Sequence, residues 1–457
     1  MGIPAVSAAP MIRSSSTPDT LRQRPAGFTL LEIMVALTLG MLLSIGILSL
    51  FSSTGRTNRL QNGLARLQEN GRFATSRIES DLRMTAAQYC SNMAGAGTKG
   101  VTPVLPVRAP LITAEQLLLP DPGPGAGDTR IAQLNSIDAA GYPTAAAATG
   151  TYALSPRYFV QGYSCETAGT CVPAGLPTGL PDEGTDPDKR VAGSDVLTIR
   201  YERGSGWPFT TTPTGNCSSN ATLALNPQTG DDPVNFDAGT QLALVTDCVN
   251  SSVLPVVSFA SNTLTLGTLL SGATAACSNG SGSRDMRVFN FSKDFVTITY
   301  YLVLKEDQDP DGRPNSPTAA KRVIPVLMRR ENGTSQELVQ GVDQLSFLYG
   351  VQDPTGKINF LTAAEINAGT VACTDPPGGD LTFEPGCLWR SVRTVEAHLL
   401  VNSVSEIMNL DSNTRMYRWF DNMNTVTDAT LLPSELRAGS MLRREFIAHV
   451  STRNYNF

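Results

Sequence analysis

The chain has 457 residues, with 35 Lys and Arg against 41 Asp and Glu and a formal charge of -6. That balance argues against a primary role on nucleic acid, because phosphate neutralisation needs clustered Lys and Arg. The length allows one large globular domain or two small ones, and eight cysteines without a Cys-x-x-Cys spacing fit an oxidising compartment and indicate neither a redox motif nor a zinc ribbon.

A basic segment carrying Arg13, Arg22 and Arg24 ends at Gly27. Phe28 then opens 24 apolar residues, Phe28 to Phe51, in which Glu32 is the one charge. At ~1.5 Å per residue such a helix reaches about 36 Å, enough to cross a bilayer. It is too long for a secretory signal core, and no small-x-small cleavage site follows it. The arginines ahead of it predict a cytoplasmic N-terminus, with everything after Phe51 in the periplasm. A carboxylate within a span costs roughly 2.5–3.5 kcal/mol at the centre and less near an end, so Glu32 calls for a compensating partner.

Residues 52–88 turn polar but keep a helical period. Leu60, Leu64, Leu67, Gly71, Ala74, Ile78 and Leu82 fall three or four apart and predict one apolar face. Arg56, Arg59, Arg66, Glu69, Arg72, Arg77, Glu79 and Asp81 are assigned to the other positions. No proline occurs between Phe28 and Tyr89, so one unbroken helix to about Ala87 is expected.

Residues 89–457 read as a β-rich head. Its first part, 91–190, is rich in Gly, Pro, Ala and Thr and predicts a loop-rich elaboration, as in Pro120-Asp-Pro-Gly-Pro-Gly-Ala-Gly127. Strand signals follow at Val196–Tyr201, Gln241–Thr246, Val253–Phe259, Phe295–Leu304, Arg322–Met328, Gln344–Tyr349, Val395–Val401 and Phe446–Val450. Pro255 and Pro325 mark edges or bulges. The short links predict antiparallel pairing, and the fold class is α+β: a long N-terminal helix whose lower half packs on a twisted sheet or pair of sheets.

The run Gly27-Phe-Thr-Leu-Leu-Glu32 before an apolar stretch resembles the class III signal of type IV prepilins. The resemblance implies that residues 1–27 are a leader, that a prepilin peptidase cuts between Gly27 and Phe28, and that Phe28 is N-methylated. It also implies that Glu32, the fifth mature residue, pairs with the Phe28 amine of a neighbouring subunit, an unpaired charge in that setting being strongly unfavourable. Loss of the leader would move the formal charge from -6 to -8. Met1 and Met11 both remain open as the start.

Three further stretches resemble the PilW family of minor pilins, a relative of pseudopilin J of type II secretion. They are Leu67-Gln-Glu-Asn-Gly-Arg-Phe73 with Asp81-Leu-Arg-Met84; Tyr300-Tyr-Leu-Val303 with Glu337-Leu-Val-Gln-Gly-Val-Asp-Gln-Leu-Ser-Phe-Leu-Tyr-Gly350; and Arg443-Arg-Glu-Phe-Ile-Ala-His-Val-Ser-Thr-Arg-Asn454. This resemblance implies a type IV pilin-like fold and a non-enzymatic minor subunit that primes pilus assembly and sits at the tip. Its expected partners are other minor pilins, the major pilin, a tip adhesin, the prepilin peptidase and the inner-membrane assembly platform. It implies a single-pass inner-membrane protein with a periplasmic head before assembly, and a pilus protein supporting adhesion and twitching motility afterwards. A pseudopilin J-like subunit of a secretion system is the alternative, and a membrane-tethered enzyme or binding module a more distant one.

No hydrolase, nucleotide or zinc-protease motif is present. His398 and His449, the two histidines, lie in strand patterns and read as packed or surface residues, and Trp207, Trp389 and Trp419 read as core. Asp307, Asp309 and Asp311 before Gly312 give a weak calcium-loop pattern, but Thr318 stands where such a loop needs Glu, so no cofactor is expected. Cys165 with Cys171 and Cys373 with Cys387 are close enough in sequence to pair locally, whereas Cys90, Cys217, Cys248 and Cys277 cannot be paired from spacing.

Overall fold

The computed structural model describes residues 28–87, 89, 111–113, 151–153, 159–165, 169–177, 179–212, 222–236, 241–246, 251–267, 286–306, 323–372, 387–404, 407, 416–420, 432, 436 and 441–452. Residues 1–27, the calcium-loop pattern at Asp307, Asp309 and Asp311, and Cys90, Cys217, Cys248, Cys277 and Cys373 lie outside them, as does the side chain of Cys387. The chain divides into two units, Met1–Asn58 and Arg59–Phe457.

Helix α1 runs Leu30–Met84 without a break. Strands β1 (Leu111–Thr113), β2 (Thr151–Ala153), β3 (Val160–Cys165), β4 (Cys171–Val172) and β5 (Val196–Glu202) follow. Next come β6 (Trp207–Thr212), β7 (Thr222–Leu225), β8 (Leu242–Thr246), β9 (Ser251–Ala260), β10 (Thr263–Leu266) and β11 (Arg287–Asn290). The chain continues through β12 (Phe295–Glu306), β13 (Val323–Glu331), β14 (Thr334–Gln340), β15 (Val342–Gln352) and β16 (Ile358–Leu361). Short helices α2 (Ala363–Ala368) and α3 (Cys387–Arg390) precede β17 (Val392–Asn402) and β18 (Arg443–Ser451). All eight strands expected from alternation are present, with ends shifted by a few residues.

Two sheets carry the head. One has six strands in the order β14-β13-β12-β5-β3-β4, the other four in the order β16-β15-β17-β18. Side chains alternate across a strand, and both faces of β12 are buried from Phe295 to Leu304. Ile298, Tyr300, Leu302 and Leu304 enter a core shared with the four-stranded sheet, through Leu345, Phe347, Val395 and Leu399, and with Leu67, Ala74, Ile78 and Leu82 of α1. Tyr301 and Val303 face the other way, into a smaller core with Val326 and Met328 that Leu176 and Leu180 cover. The covering segment is tethered by a Cys165–Cys171 disulfide. β3, inside the stretch read as a loop-rich elaboration, is therefore an integral member of the main sheet, paired with β5.

Between β5 and β12, which are direct antiparallel partners, the chain makes an excursion that the sequence pattern did not announce. Strands β6, β7, β10, β9, β8 and β11 pair in a closed ring. Its interior holds Trp207, Phe209, Leu223, Ala243, Val245, Leu254, Val256, Leu264 and Val288. Ala243 and Val245 of β8 point into this barrel while Leu242 and Leu244 point into the main core, so one barrel wall is shared with the head. The Arg203 N–H donates to the Asp294 carbonyl at 2.8 Å and closes the stem. Pro255 lies beside the irregularity where β10 leaves its register with β9. Pro325 sits one residue beyond the last β13–β14 pair, its carbonyl accepting from Gly341 N–H. Both prolines thus occupy positions that do not need their missing donor.

Candidate functional site

In the first unit, the segment after Phe28 is helical from Leu30 and its apolar side chains are exposed from Phe28 to Phe51. It is the one stretch among the described residues long and apolar enough to cross a membrane. Thr29 stands at the N-cap. Its carbonyl accepts from Glu32 N–H at 3.0 Å, and its hydroxyl accepts from the same N–H at 3.3 Å. Glu32 is therefore the third helical residue in a Thr-x-x-Glu pattern, where an acid interacts favourably with the helix N-terminus. That local stabilisation lowers the cost of a carboxylate near the end of the span, and sequence reading, which looked only for an external partner, missed it. Gly27 and everything before it lie outside the described residues.

In the second unit, the lower part of α1 is seated on the head. One expectation about its face is corrected: Asp81, assigned to the polar side, is 4% exposed. Leu60 and Leu64, in the half expected to pack against other subunits and not on the head, are 38% and 43% exposed, and Gly63 between them is buried. The burial of Gly63 has a steric cause. A Cβ on Gly63 would lie 3.2 Å from Ile407 Cδ1, and one on Gly71 would lie 2.4 Å from Phe446 Cε2, so the helix backbone itself comes down onto the head at these positions and larger residues are turned aside. The predicted helix end also moves from Ala87 to Met84. Ala86 takes a left-handed conformation at φ 56°, donates to the Arg200 carbonyl at 3.0 Å, and Glu202 N–H donates to Ala87 at 2.8 Å. The chain thus leaves the helix by hydrogen-bonding to β5.

Asp81 is the polar anchor of this seat. Its Oδ2 accepts from Arg329 Nε at 2.7 Å and from the Tyr300 hydroxyl at 2.5 Å, and its Oδ1 from Arg329 Nη2 at 3.4 Å. Arg329 is itself buried on β13 and reaches Glu331 at 2.6 Å through Nη1. Burial alone would lower the arginine, but the hydrogen bonds to Asp81 and Glu331 outweigh it and hold the guanidinium above its ordinary range. Burial and the adjacent Asp81 carboxylate push the Tyr300 hydroxyl up, so it stays a donor. One acceptor on the helix is thereby met by donors from two strands, a charge-assisted arrangement that fixes the height and rotation of the lower part of α1, after Arg59, on the head.

Three further buried carboxylates stitch the surrounding elements. Asp343 pairs with Arg443 at 2.6 Å and accepts from Asn402 at 2.7 Å, joining β15, β17 and β18. Asp195 accepts from Cys165 N–H and Phe347 N–H, each at 3.0 Å, joining the two main sheets; burial raises it to about 7 against those two bonds. Glu202 accepts from Tyr89 N–H at 3.0 Å, just past the helix end. Burial, assisted by the nearby Asp294, raises it to about 8.

The three tryptophans are buried, Trp207 in the barrel and Trp389 and Trp419 in the main core, and present no common stacking face. Of the histidines, His398 is packed and His449 exposed.

The family model of type IV pilus-assembly protein W matches residues 312–454, taking in β13 to β18 and with them Arg329 and the whole four-stranded sheet. The model of the prokaryotic N-terminal methylation motif matches residues 22–48, which include Glu32 and most of the apolar helix. No curated protein and no solved structure matches the chain. With the methylation motif at one end, the apolar helix behind it and the assembly-protein match over the C-terminal part of the head, the chain matches a type IV minor pilin of the PilW family.

Proposed function

We propose that this pilin acts as a structural, non-catalytic minor subunit that helps initiate the type IV pilus and occupies its tip. In this reading residues 1–27 are removed by the prepilin peptidase, Phe28 becomes a methylated N-terminus, and Glu32 meets the Phe28 amine of a neighbour. The head stays in the periplasm, on a single-pass inner-membrane anchor, until the assembly platform draws the subunit into the fibre beside other minor pilins, the major pilin and a tip adhesin. Adhesion and twitching then depend on it through fibre number.

The observation that carries the reading is the exposed apolar helix with its single acid at the third helical position, inside the methylation-motif match. A head enlarged by an inserted barrel also supports a rare or terminal position, because repeated stacking of so bulky a subunit would obstruct a thin shaft. The test is the intact mass of the protein isolated from cells with an active prepilin peptidase. The expected species begins at Phe28 and carries one methyl group. Gly27→Leu should leave the heavier, unprocessed chain, and Glu32→Ala should be processed yet fail to co-purify with other pilins. A wild-type chain that keeps residues 1–27 in those cells, or normal pilus number in Glu32→Ala, refutes the reading.

A further inference from the structure

We propose that Glu396, His398 and His449 bind a divalent transition ion of the zinc class on the outer face of the four-stranded sheet. The chain contains two histidines in 457 residues, and the fold brings both to one carboxylate. Glu396 of β17 is the cross-strand partner of His449 of β18, and His398, two residues on, points to the same side. The Nε2 atom of His398 lies 3.5 Å from Glu396 Oε2, and that of His449 lies 3.9 Å from Glu396 Oε1. Both separations are long for hydrogen bonds. They are near the spacing of about 3.3–3.4 Å between neighbouring ligands of a tetrahedral zinc with bonds of about 2.0–2.1 Å.

The back of His398 is built as a ligand's back is built. Its Nδ1 lies 2.7 Å from Glu445 Oε1, which also accepts from Phe420 N–H at 3.0 Å. A carboxylate at Nδ1 makes that nitrogen the donor, so in the neutral ring the lone pair stands on Nε2. This is the outer-shell partner that orients metal-binding imidazoles. The ring is stacked on Phe420 with centroids 4.6 Å apart and meets the edge of Trp419 at 6.4 Å, so Nε2 is aimed, and it is buried without a hydrogen-bond partner.

Exposure rises across the site, from 6% for the side chain of His398 through 23% for Glu396 to 54% for His449, which leaves solvent access for a water as fourth ligand. Among the described residues no three such side chains enclose a common point as they stand. The movement required belongs to His449, whose ring is mostly solvent-exposed and touches Phe360 edge-on at 6.3 Å. Two imidazoles and one carboxylate favour zinc, copper or nickel over calcium or magnesium.

The test uses the full chain in detergent with its disulfides oxidised, titrated with cobalt as a spectroscopic stand-in and dialysed against zinc. The expected result is one ion per chain and the visible absorption of four-coordinate cobalt. His449→Ala and Glu396→Gln should each weaken binding by about tenfold or more. Because His449 is exposed, His449→Ala should leave the thermal midpoint of the metal-free protein unchanged, which separates lost ligation from lost folding. Failure to take up zinc at about 0.1 mM, or undiminished uptake by His449→Ala, overturns the proposal and leaves the cluster as an ion-paired surface group.

Discussion

Replacing Asp81 with alanine tests whether the helix is held by charge or by apolar packing alone. The substitution strands a buried guanidinium and a buried hydroxyl, since Arg329 and Tyr300 both donate to this carboxylate. Breaking a buried pair from one side costs about 3–5 kcal/mol. Glu331 still holds Arg329 Nη1 at 2.6 Å, which puts the expected loss near the lower end, about 3 kcal/mol. Against a typical total of about 5–15 kcal/mol that is a large fraction. In an Arg329→Met background Asp81 is itself a buried carboxylate without its counter-charge, so the same substitution removes that penalty while orphaning only the Tyr300 hydroxyl, and should cost at most about 1 kcal/mol. The coupling of at least about 2 kcal/mol between the two sites is the quantity to measure. Denaturant unfolding of the full chain in detergent gives the four stabilities, and hydrogen exchange over residues 74–84 reports whether the seat loosens locally. A loss below about 0.5 kcal/mol for Asp81→Ala, or equal losses in both backgrounds, would show that the pair contributes little and that Leu67, Ala74, Ile78 and Leu82 suffice.

Two further outcomes follow from the same elements. Gly71→Val should destabilise by about 1–3 kcal/mol, because even its Cβ would fall 2.4 Å from the Phe446 ring; Phe446→Ala should reverse much of the added cost, and a neutral Gly71→Val would contradict the close approach. Stability should also fall as the pH rises from about 4 to 8. Asp195 and Glu202 titrate near 7 and 8 when folded but near 4 when unfolded. Between those values the unfolded chain therefore binds fewer protons, and the native state loses ground with each step upward. Glu202→Gln keeps the neutral shape and should flatten this slope, raising the pH 8 midpoint relative to wild type; a slope of the opposite sign, or no change in it, would place the charge elsewhere.

How much of this was legible in the sequence depends on the length over which a pattern repeats. The apolar segment Phe28–Phe51 was readable from its length, and the long strands β5, β12, β13, β15, β17 and β18 of the two main sheets were readable because burial on one or both faces imposes a pattern over many residues; β3, β4, β14 and β16 were not. Asp81 was misplaced for a different reason. It stands fourteen residues after Leu67, which on a 3.6-residue helix is within about 40° of it, and so lies squarely on the buried face. Chemical type overrode angular position, although a charged residue on the apolar stripe is itself a signal for a buried partner. Nothing local identifies that partner as Arg329, 248 residues away. Only the pairing of β13 with β12 brings Arg329 and Tyr300 opposite one another.

Two barrel strands, β8 and β9, were readable, but the closed barrel was illegible for a topological reason. Its strands β7, β10 and β11 have four residues each, too short for alternation to stand out. Its closure rests on pairings between strands that are not consecutive. Yet its position follows from the sheet. β5 and β12 are antiparallel neighbours in register from Glu202 and Phe295 onward, so a hairpin connection would suffice, and residues 203–294 replace that hairpin. An excursion whose two ends are already held together leaves the flanking strands unchanged. The assembly-protein match accordingly lies wholly downstream of it, at 312–454. The barrel is thus the part of the head freest to vary without disturbing the Asp81 seat. Shortening 203–294 to a tight turn should therefore expose Leu242 and Leu244's partners in the main core while sparing the Arg329 contact, and loss of the Asp81–Arg329 coupling in such a deletion would show that the seat needs the barrel after all.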